Sequence, residues 1–270
     1  MIDAVSVGSR HPSVQRLRRL SGRRAARLEE CAFVIEGPTL IADAISAGVR
    51  ISDIFATRDT DPSLIDGAAA GGSKVWSITD DVLARAVDTV SPQGVAAIAP
   101  RLEIDVDSAV AAAAGGPLAL VLVDVGDPGN AGTLLRAAEA AGASAVLFCG
   151  GSVDPCNPKC VRASAGALFH VPVAIGGGAV VVLDLLRAAG VPTFATAVDG
   201  GVPHDDADMR GPLALVVGNE AHGLPAELLA MVDHTVTIPM VGRSESLNVA
   251  MAGTVLCFES LRQRRLEGHR

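Results

Sequence analysis

Residues 213–253 are LALVVGNEAHGLPAELLAMVDHTVTIPMVGRSESLNVAMAG, and this stretch decides the predicted fold. It contains two short apolar runs, Leu213–Val217 and Val236–Met240, each followed at once by small and polar residues. Apolar runs of this length that are bounded by turn residues are typical of buried strands. The loop after the second run opens a long helical pattern at Leu247. Buried parallel strands with such loops form a ligand-binding crevice at their carboxyl ends.

The composition favours a core of small aliphatic side chains. Of 270 residues, 49% are hydrophobic but only 3% are aromatic. A core of Val, Ala, Leu and Ile suits buried parallel strands with helices over them. Strand and helix patterns alternate along most of the chain. We therefore expect an α/β fold with a mostly parallel sheet covered on both faces.

The length and the patterns predict two domains. A small α/β domain spans residues 1–104 and a second α/β series spans residues 110–270. The acid-rich stretch Arg101–Ser108 has no clear periodicity and is interpreted as the linker. Within the second domain, a helix is expected over Asn130–Ala141 and a short strand over Ala167–Val173.

The sequence argues against membrane and metal-binding classes. The uncharged apolar stretch over residues 108–123 is short for a membrane span and is interrupted by Gly and Pro. The N-terminus lacks a signal-peptide pattern, and five cysteines without framework spacing fit a reducing cytoplasm. The His and Cys residues form no metal-ligand set, and His170, inside the apolar strand pattern, is interpreted as structural. We expect a cytoplasmic protein with no membrane segment and no metal.

Charge gives two opposing indications about nucleic acid. The net charge of −8 argues weakly against a nucleic-acid partner. The stretch from Arg10 to Arg27, however, holds seven arginines and no acidic residue. Such a run is either a solvated face or an RNA-binding surface, and charge alone does not decide between them.

The first loop that could carry chemistry is GDPGNAGTLLRAAEAAG, residues 126–142. Its glycine spacing does not match the G-x-G-x-x-G fingerprint of dinucleotide-binding proteins, which disfavours an NAD-dependent oxidoreductase. The loop instead offers Asn130 near the helix start and Arg136 further along. An arginine among alanines and leucines needs either solvent or an anionic partner.

Two further loops add polar groups to the predicted crevice. Glu220 follows a buried strand, where it either caps the next helix or orients a donor such as Arg136. Ser244, Ser246 and Asn248 cluster where the last helix begins. Capping requires one such residue, so the excess indicates hydrogen bonds to a ligand.

The three loops together resemble the SpoU (TrmH-like) branch of the SPOUT methyltransferases. The matching motifs are DPGNAGTLLRAAEAAG (127–142), LVVGNEAHGL (215–224) and IPMVGRSESLNVAMAG (238–253). The first domain is similar to an L30e-like RNA-binding domain through FVIEGPTLIADAI (33–45) and VSPQGVAAIA (90–99). This layout is most similar to ribosomal RNA methyltransferases, including the thiostrepton-resistance enzymes.

The resemblance implies S-adenosylmethionine as cofactor, a C-terminal trefoil knot, a homodimer, and methylation of a ribose 2′-OH in RNA, with 23S ribosomal RNA as the favoured substrate. It assigns catalysis to Asn130, Arg136, Glu220, Ser246 and Asn248. It assigns cofactor binding to Thr196, Ala197, Gly218, Asn219, Glu220, Ile238, Met240, Ser246 and Leu247. For RNA binding we expect Arg10, Arg16, Arg18, Arg19, Arg23, Arg24 and Arg162.

The family mechanism makes Arg136 the base, but a guanidinium stays protonated in proteins. We therefore expect Arg136 to neutralise the neighbouring phosphate, while Asn130, Ser246 and Asn248 fix the geometry and no metal takes part. Two alternatives remain open: methylation of transfer RNA, and a non-catalytic RNA-binding protein with the same fold.

Overall fold

The computed structural model describes residues 5–87, 89 and 92–267. The chain divides into two compact units. One comprises Met1–Leu102 with Cys156–Phe169, and the other comprises Glu103–Pro155 with His170–Arg270. The boundary falls inside the stretch interpreted as a linker. Residues 156–169, which the sequence interpretation placed in the second domain, instead group with the first unit.

The first unit is a mixed sheet flanked by helices. Its elements before the boundary are β1 Val5–Ser6, α1 Pro12–Gly22, α2 Arg24–Glu29, β2 Ala32–Glu36, α3 Pro38–Ser46, β3 Asp53–Ala56, α4 Pro62–Ala70, β4 Lys74–Ser77, α5 Asp80–Ala86 and β5 Val95–Pro100. The five strands lie in the order β1-β4-β3-β5-β2. Strands β1, β4 and β3 are parallel, whereas β5 is antiparallel to both β3 and β2.

The elements after the boundary, all of which except α8 belong to the second unit, are α6 Val106–Gly115, β6 Leu118–Leu122, α7 Pro128–Ala140, β7 Ala145–Phe148, α8 Pro158–Ala163, β8 Val173–Ile175, α9 Ala179–Ala188, β9 Thr193–Thr196, β10 Val202–Pro203, β11 Leu213–Val217, α10 Ala226–Leu229, β12 His234–Thr237 and α11 Val249–Glu267. Seven strands form one sheet in the order β10-β12-β9-β11-β6-β7-β8. Every neighbouring pair is parallel.

The centre of this sheet is formed by β6 and β11, which pair from Leu118↔Leu213 to Leu122↔Val217. Every residue of both strands is buried. The expected α/β fold with a mostly parallel sheet is confirmed, and the trefoil knot stays a prediction. Among the described residues, no helix combines the length and apolar character needed to cross a membrane.

Helix α6 begins inside the predicted linker, and the sequence analysis did not predict it. Asp105 caps α6 by accepting a hydrogen bond from the Ser108 amide at 2.7 Å. The buried side chains of α6 are Ala109, Val110 and Ala113, which give only a weak hydrophobic period. The acid followed three residues later by Ser was the available indication of a helix start.

The strand predicted at Ala167–Val173 is wrong in position. Ala167–Phe169 forms a 3₁₀ turn, and the strand there, β8, begins only at Val173. Ala165 and Gly166 before the turn have φ of 49° and 98°, a left-handed conformation that an extended strand cannot contain. His170 is exposed and lies outside any strand, so the interpretation that placed it inside a strand is wrong.

Helix α8 packs on β2 in the first unit and carries an ion pair. The Arg162 guanidinium lies 3.1 Å from a carboxylate oxygen of Glu36, whose side chain is buried. A buried carboxylate needs a counter-charge, since an unpaired one costs several kcal/mol. Arg162 was expected to contact RNA, but in the structure its guanidinium neutralises Glu36, so its role is corrected to a structural one.

The arginine run divides into structural and exposed members. Arg16 bonds Glu30 at 2.7 Å and Asp53 at 2.8 Å, so its expected RNA contact is corrected to a structural role. Arg27 is 3% exposed and donates to the carbonyl oxygens of Leu20 and Ser21. The exposed members are Arg10, Arg18, Arg19, Arg23 and Arg24.

We expect Arg27→Gln to lower the free energy of unfolding of the first unit by about 2 kcal/mol, because two buried carbonyls lose a charged donor. Urea unfolding followed by the fluorescence of Trp76, the single tryptophan, reports on this unit. The matched control is Arg24→Gln on the same helix, where the side chain is exposed and the expected change is within about 0.5 kcal/mol. Equal effects of the two substitutions would contradict the structural role of Arg27.

Candidate active site

A cavity of about 530 Å³ lies in the second unit, beside the carboxyl ends of β9, β11 and β12. Its volume is in the range of small-molecule sites. The residues expected to bind cofactor all line it: Thr196, Ala197, Gly218, Asn219, Glu220, Ile238, Met240, Ser246 and Leu247. The structure thus brings together residues that are as far apart in the chain as Thr196 and Leu247, as the resemblance implied.

Two element boundaries differ from their predicted positions at this cavity. Strand β12 ends at Thr237 and helix α11 begins at Val249, not at Met240 and Leu247. Ile238 therefore lies in the connecting loop. The last strand is anchored there, since the Thr237 hydroxyl donates to the Val198 carbonyl at 2.9 Å.

The loop after β11 is a tight reversal that depends on two glycines. The Asn219 and Gly223 backbones exchange hydrogen bonds of 3.0 and 2.9 Å. A Cβ on Gly218 would lie 2.4 Å from the carbonyl carbon of Gly223, so only glycine fits there. Gly223 itself has φ of 65°, which other residues rarely adopt. This reversal presents Glu220 toward the first loop.

The Glu220 carboxylate is the acceptor for three donors of the loop that precedes and begins α7. One oxygen accepts from the Asp127 amide at 2.9 Å and from the Asn130 side chain at 3.2 Å. The other accepts from the Gly126 amide at 3.3 Å. Burial by itself raises the pKa of Glu220, but these donors outweigh burial and the pKa lies below its usual value. Glu220 is therefore ionised at neutral pH.

The network continues from Asn130 to the third loop. The Asn248 side-chain amide donates to the Asn130 side-chain oxygen at 3.0 Å. The Asn248 oxygen in turn accepts from the Ala250 and Met251 amides at the start of α11. Glu220, Asn130 and Asn248 thus join all three loops in one hydrogen-bonded chain.

Arg136 does not join this chain. It lies six residues after Asn130 in α7, which corresponds to about 600° of rotation and about 9 Å of rise. The side chain is exposed, and within the described residues it makes no hydrogen bond or ion pair. The expectation that Glu220 orients Arg136 is wrong, because the carboxylate is occupied by the first loop.

Ser246 differs from Asn248 in having no hydrogen bond within the described part of the chain, although it lines the cavity and is exposed. A polar group left open beside a cavity fits a ligand contact. Sequence reasoning missed Asp199, His222 and Glu245, which also line the cavity. The last two lie inside the quoted motifs, and their exposure could not be inferred from spacing.

Sequence reasoning also missed a second set of hydrogen bonds, made by the Asn219 side chain, that holds the loops of the site together. The Asn219 side chain donates to the Asp124 carbonyl at 2.9 Å and accepts from the Ala221 and His222 amides. Asp124 has φ of 55°, an uncommon conformation for a residue with a side chain. The bond from Asn219 supports this strained turn and couples the ends of two adjacent parallel strands, β6 and β11.

Comparison with known proteins matches both units. The SpoU rRNA Methylase family matches residues 117–258, and the MRM3-like substrate binding domain matches residues 11–97. The chain is 32% identical to the 23S rRNA (guanosine(2553)-2′-O)-methyltransferase RlmP of Bacillus subtilis, over 86% of this chain and 89% of that protein.

Solved structures agree with this sequence match. The AdoMet-bound rRNA methyltransferase from Sinorhizobium meliloti has a TM-score of 0.85 and 31% identity, covering 96% of this chain and 98% of that one. The SpoU methyltransferase AviRb from Streptomyces viridochromogenes, in complex with AdoMet, has a TM-score of 0.83 and 26% identity, covering 95% and 99%. With motifs, fold and cavity in agreement, the chain belongs to the SpoU rRNA methylase family.

Proposed function

We propose that the protein transfers a methyl group from S-adenosylmethionine to a ribose 2′-OH of 23S ribosomal RNA. The observation that carries the proposal is the Glu220–Asn130–Asn248 chain beside a cavity lined by all the expected cofactor residues. The names of related proteins support ribosomal RNA rather than transfer RNA as the substrate class. Because all three side chains of this hydrogen-bonded network are present, a non-catalytic RNA-binding protein is disfavoured.

The cavity fits the cofactor chemically. Its wall includes the aliphatic side chains of Leu224, Val236 and Leu256, which suit a purine ring. Its rim includes the carboxylates of Asp199 and Glu245, which suit the ammonium group of a methionine moiety. When bound, S-adenosylmethionine supplies a methyl group on a sulfonium, and displacement of that methyl leaves a neutral thioether.

The side chains act by positioning the reacting hydroxyl. Glu220 is a poor candidate for the proton acceptor, since its pKa is lowered and three donors occupy its oxygens. Its role is to hold Asn130, which with Asn248 and the open hydroxyl of Ser246 fixes the ribose. Arg136 is no base either, because guanidinium stays protonated. It pairs with the adjacent phosphate and orients the hydroxyl, whose proton leaves to water or to another group.

We further propose a homodimer formed through α11. Met251, Val255 and Phe258 are exposed at helical i, i+4 and i+7 positions, with Met251 at 62% and Phe258 at 44%. Val241, in the loop before the helix, is fully exposed. Aliphatic and aromatic side chains on one helix face are typical of an association surface.

We also propose a cytoplasmic location. The five cysteines are free thiols, four of them buried, which is consistent with a reducing compartment.

The Glu220 role predicts that Glu220→Gln lowers the rate of methyl transfer about a hundredfold, because one acceptor oxygen becomes a donor facing N–H groups. Single-turnover methylation of 23S ribosomal RNA at saturating cofactor measures the rate, and mapping of ribose methylation on ribosomal and transfer RNA identifies the substrate. Glu227→Gln, an exposed glutamate on α10, is the control. Near-normal turnover of Glu220→Gln would remove the network from the mechanism.

Arg136→Ala should lose at least about a hundredfold in rate, while cofactor affinity measured by calorimetry changes only a few fold. No described residue of the chain holds the guanidinium plane, so we expect Arg136→Lys to retain more activity than Arg136→Ala. Lysine failing as badly as alanine would indicate a bidentate phosphate contact instead. Normal turnover of Arg136→Ala would exclude this residue from the site.

The dimer is tested by Phe258→Glu, which places a charge in the exposed apolar face of α11. Sedimentation velocity should show a dimer for the native chain and a monomer for this variant. Leu28→Glu, at an exposed leucine of similar accessibility in the first unit, should leave the dimer intact. A native chain that sediments as a monomer at micromolar concentration would overturn the proposal.

A further inference from the structure

The first unit contains a second large concavity, separate from the candidate active site. It has a volume of about 620 Å³ and lies where α1 ends and α5 ends. Arg18, Arg19 and Arg23 line it at the end of α1, and Arg85 lines it at the end of α5. No acidic residue lines it among the residues that the structure describes. We refer to these four arginines and the space between them as the arginine cleft.

The positive charge of the arginine cleft is poorly compensated. Within the described ranges, Arg18 and Arg23 make no ion pair or side-chain hydrogen bond. Arg85 pairs with Asp81 at 2.8 Å, but both side chains are well exposed and such an i,i+4 pair contributes only a few tenths of a kcal/mol. Arg19 shares the single carboxylate of Glu30 with Arg16. The cleft therefore keeps an excess of cationic donors.

Helix capping does not account for these arginines. Basic residues at a helix C-terminus often satisfy its last carbonyls. At the end of α1, however, buried Arg27 already donates to the carbonyls of Leu20 and Ser21. The Arg23 amide also closes the last turn on the Arg19 carbonyl. The side chains in the cleft are thus not needed to end this helix.

A buried hydroxyl in the same place is independent of the charge argument. Ser21 lines the cleft and is 4% exposed. Its hydroxyl has no hydrogen-bond partner among the described residues. A buried polar group without a partner costs about 1–3 kcal/mol unless something supplies one. A ligand rich in acceptor oxygens would meet both the hydroxyl and the guanidinium groups.

We propose that the arginine cleft binds the phosphodiester backbone of the ribosomal RNA substrate, with Arg85 as a contact from outside the N-terminal arginine run. This inference rests on the proposed function. Guanidinium forks match phosphate oxygens, and no aromatic side chain lines the cleft among the described residues, so base stacking has no platform there. Backbone contacts of this kind fix the register of the RNA without reading its sequence.

The test uses the full chain with the triple substitution Arg18→Gln, Arg23→Gln and Arg85→Gln. The matched control replaces Arg50, Arg58 and Lys74 by Gln, three exposed basic residues of the same unit that do not line the cleft and are not expected to bind RNA. Equilibrium binding of a 23S ribosomal RNA transcript is measured across a series of NaCl concentrations. Each lost phosphate contact reduces the slope of log affinity against log salt by about one.

We expect the cleft triple to reduce the slope by about two to three and the control triple by less than one. Arg85→Gln alone should reduce it by about one. Equal reductions by the two triples, or an unchanged slope for the cleft triple, would overturn the proposal. Thermal unfolding followed by Trp76 fluorescence verifies that each variant is folded.

Methylation of the same transcript separates this proposal from the proposed function. Native protein that binds through the cleft but methylates no RNA would refute the proposed function and leave the cleft standing. Native protein that methylates the transcript, with a cleft triple whose KM for RNA equals that of the control triple, would refute the cleft alone. Binding confined to acidic protein, with none to RNA, would also refute it.

Discussion

The candidate site depends on one carboxylate. Glu220 accepts hydrogen bonds from two backbone amides and one side-chain amide of a loop that lies 90 to 94 residues earlier in the chain. The two loops follow β6 and β11, which are adjacent parallel strands, so their ends meet at one edge of the sheet. Without the Glu220 carboxylate, the donors at Gly126 and Asp127 would lose their acceptor and Asn130 would lose its orientation. The fold brings the loops together, and the charge holds them in one arrangement.

Those parts of the fold that local patterns determine could be predicted from sequence. The apolar runs at Leu118 and Leu213 indicated buried strands, and the glycine-bounded helical pattern after Asn130 indicated α7. Helix α6 was not predicted because two of its three buried side chains are alanines, which contribute little to a hydrophobic pattern. The turn at Ala165 was not predicted, because nothing in the sequence indicates that an alanine adopts a left-handed backbone conformation.

Motif spacing was sufficient to find the cofactor residues but not their side-chain partners. The residues expected at the cofactor line a single cavity, since each sits at the end of a strand or in the loop that follows it. Pairing is a tertiary property. That Arg16 meets Asp53 and Arg162 meets Glu36 could not follow from a list of charges, and the same holds for Arg136, which stands apart from Glu220. Charge runs therefore predicted an RNA surface larger than the one that the structure leaves free.

The strand order of the second unit bears on how the chain is made. Strand β6 lies at the centre of the sheet, yet its partner β11 is synthesised almost a hundred residues later. During synthesis on the ribosome, one edge of the fully apolar Leu118–Leu122 segment therefore stays unpaired while β7, β8 and β9 emerge. Long-range parallel pairing is slow, and an exposed apolar edge is prone to aggregate. Nascent chains of this protein should accordingly depend on chaperones until residue 217 has left the exit tunnel.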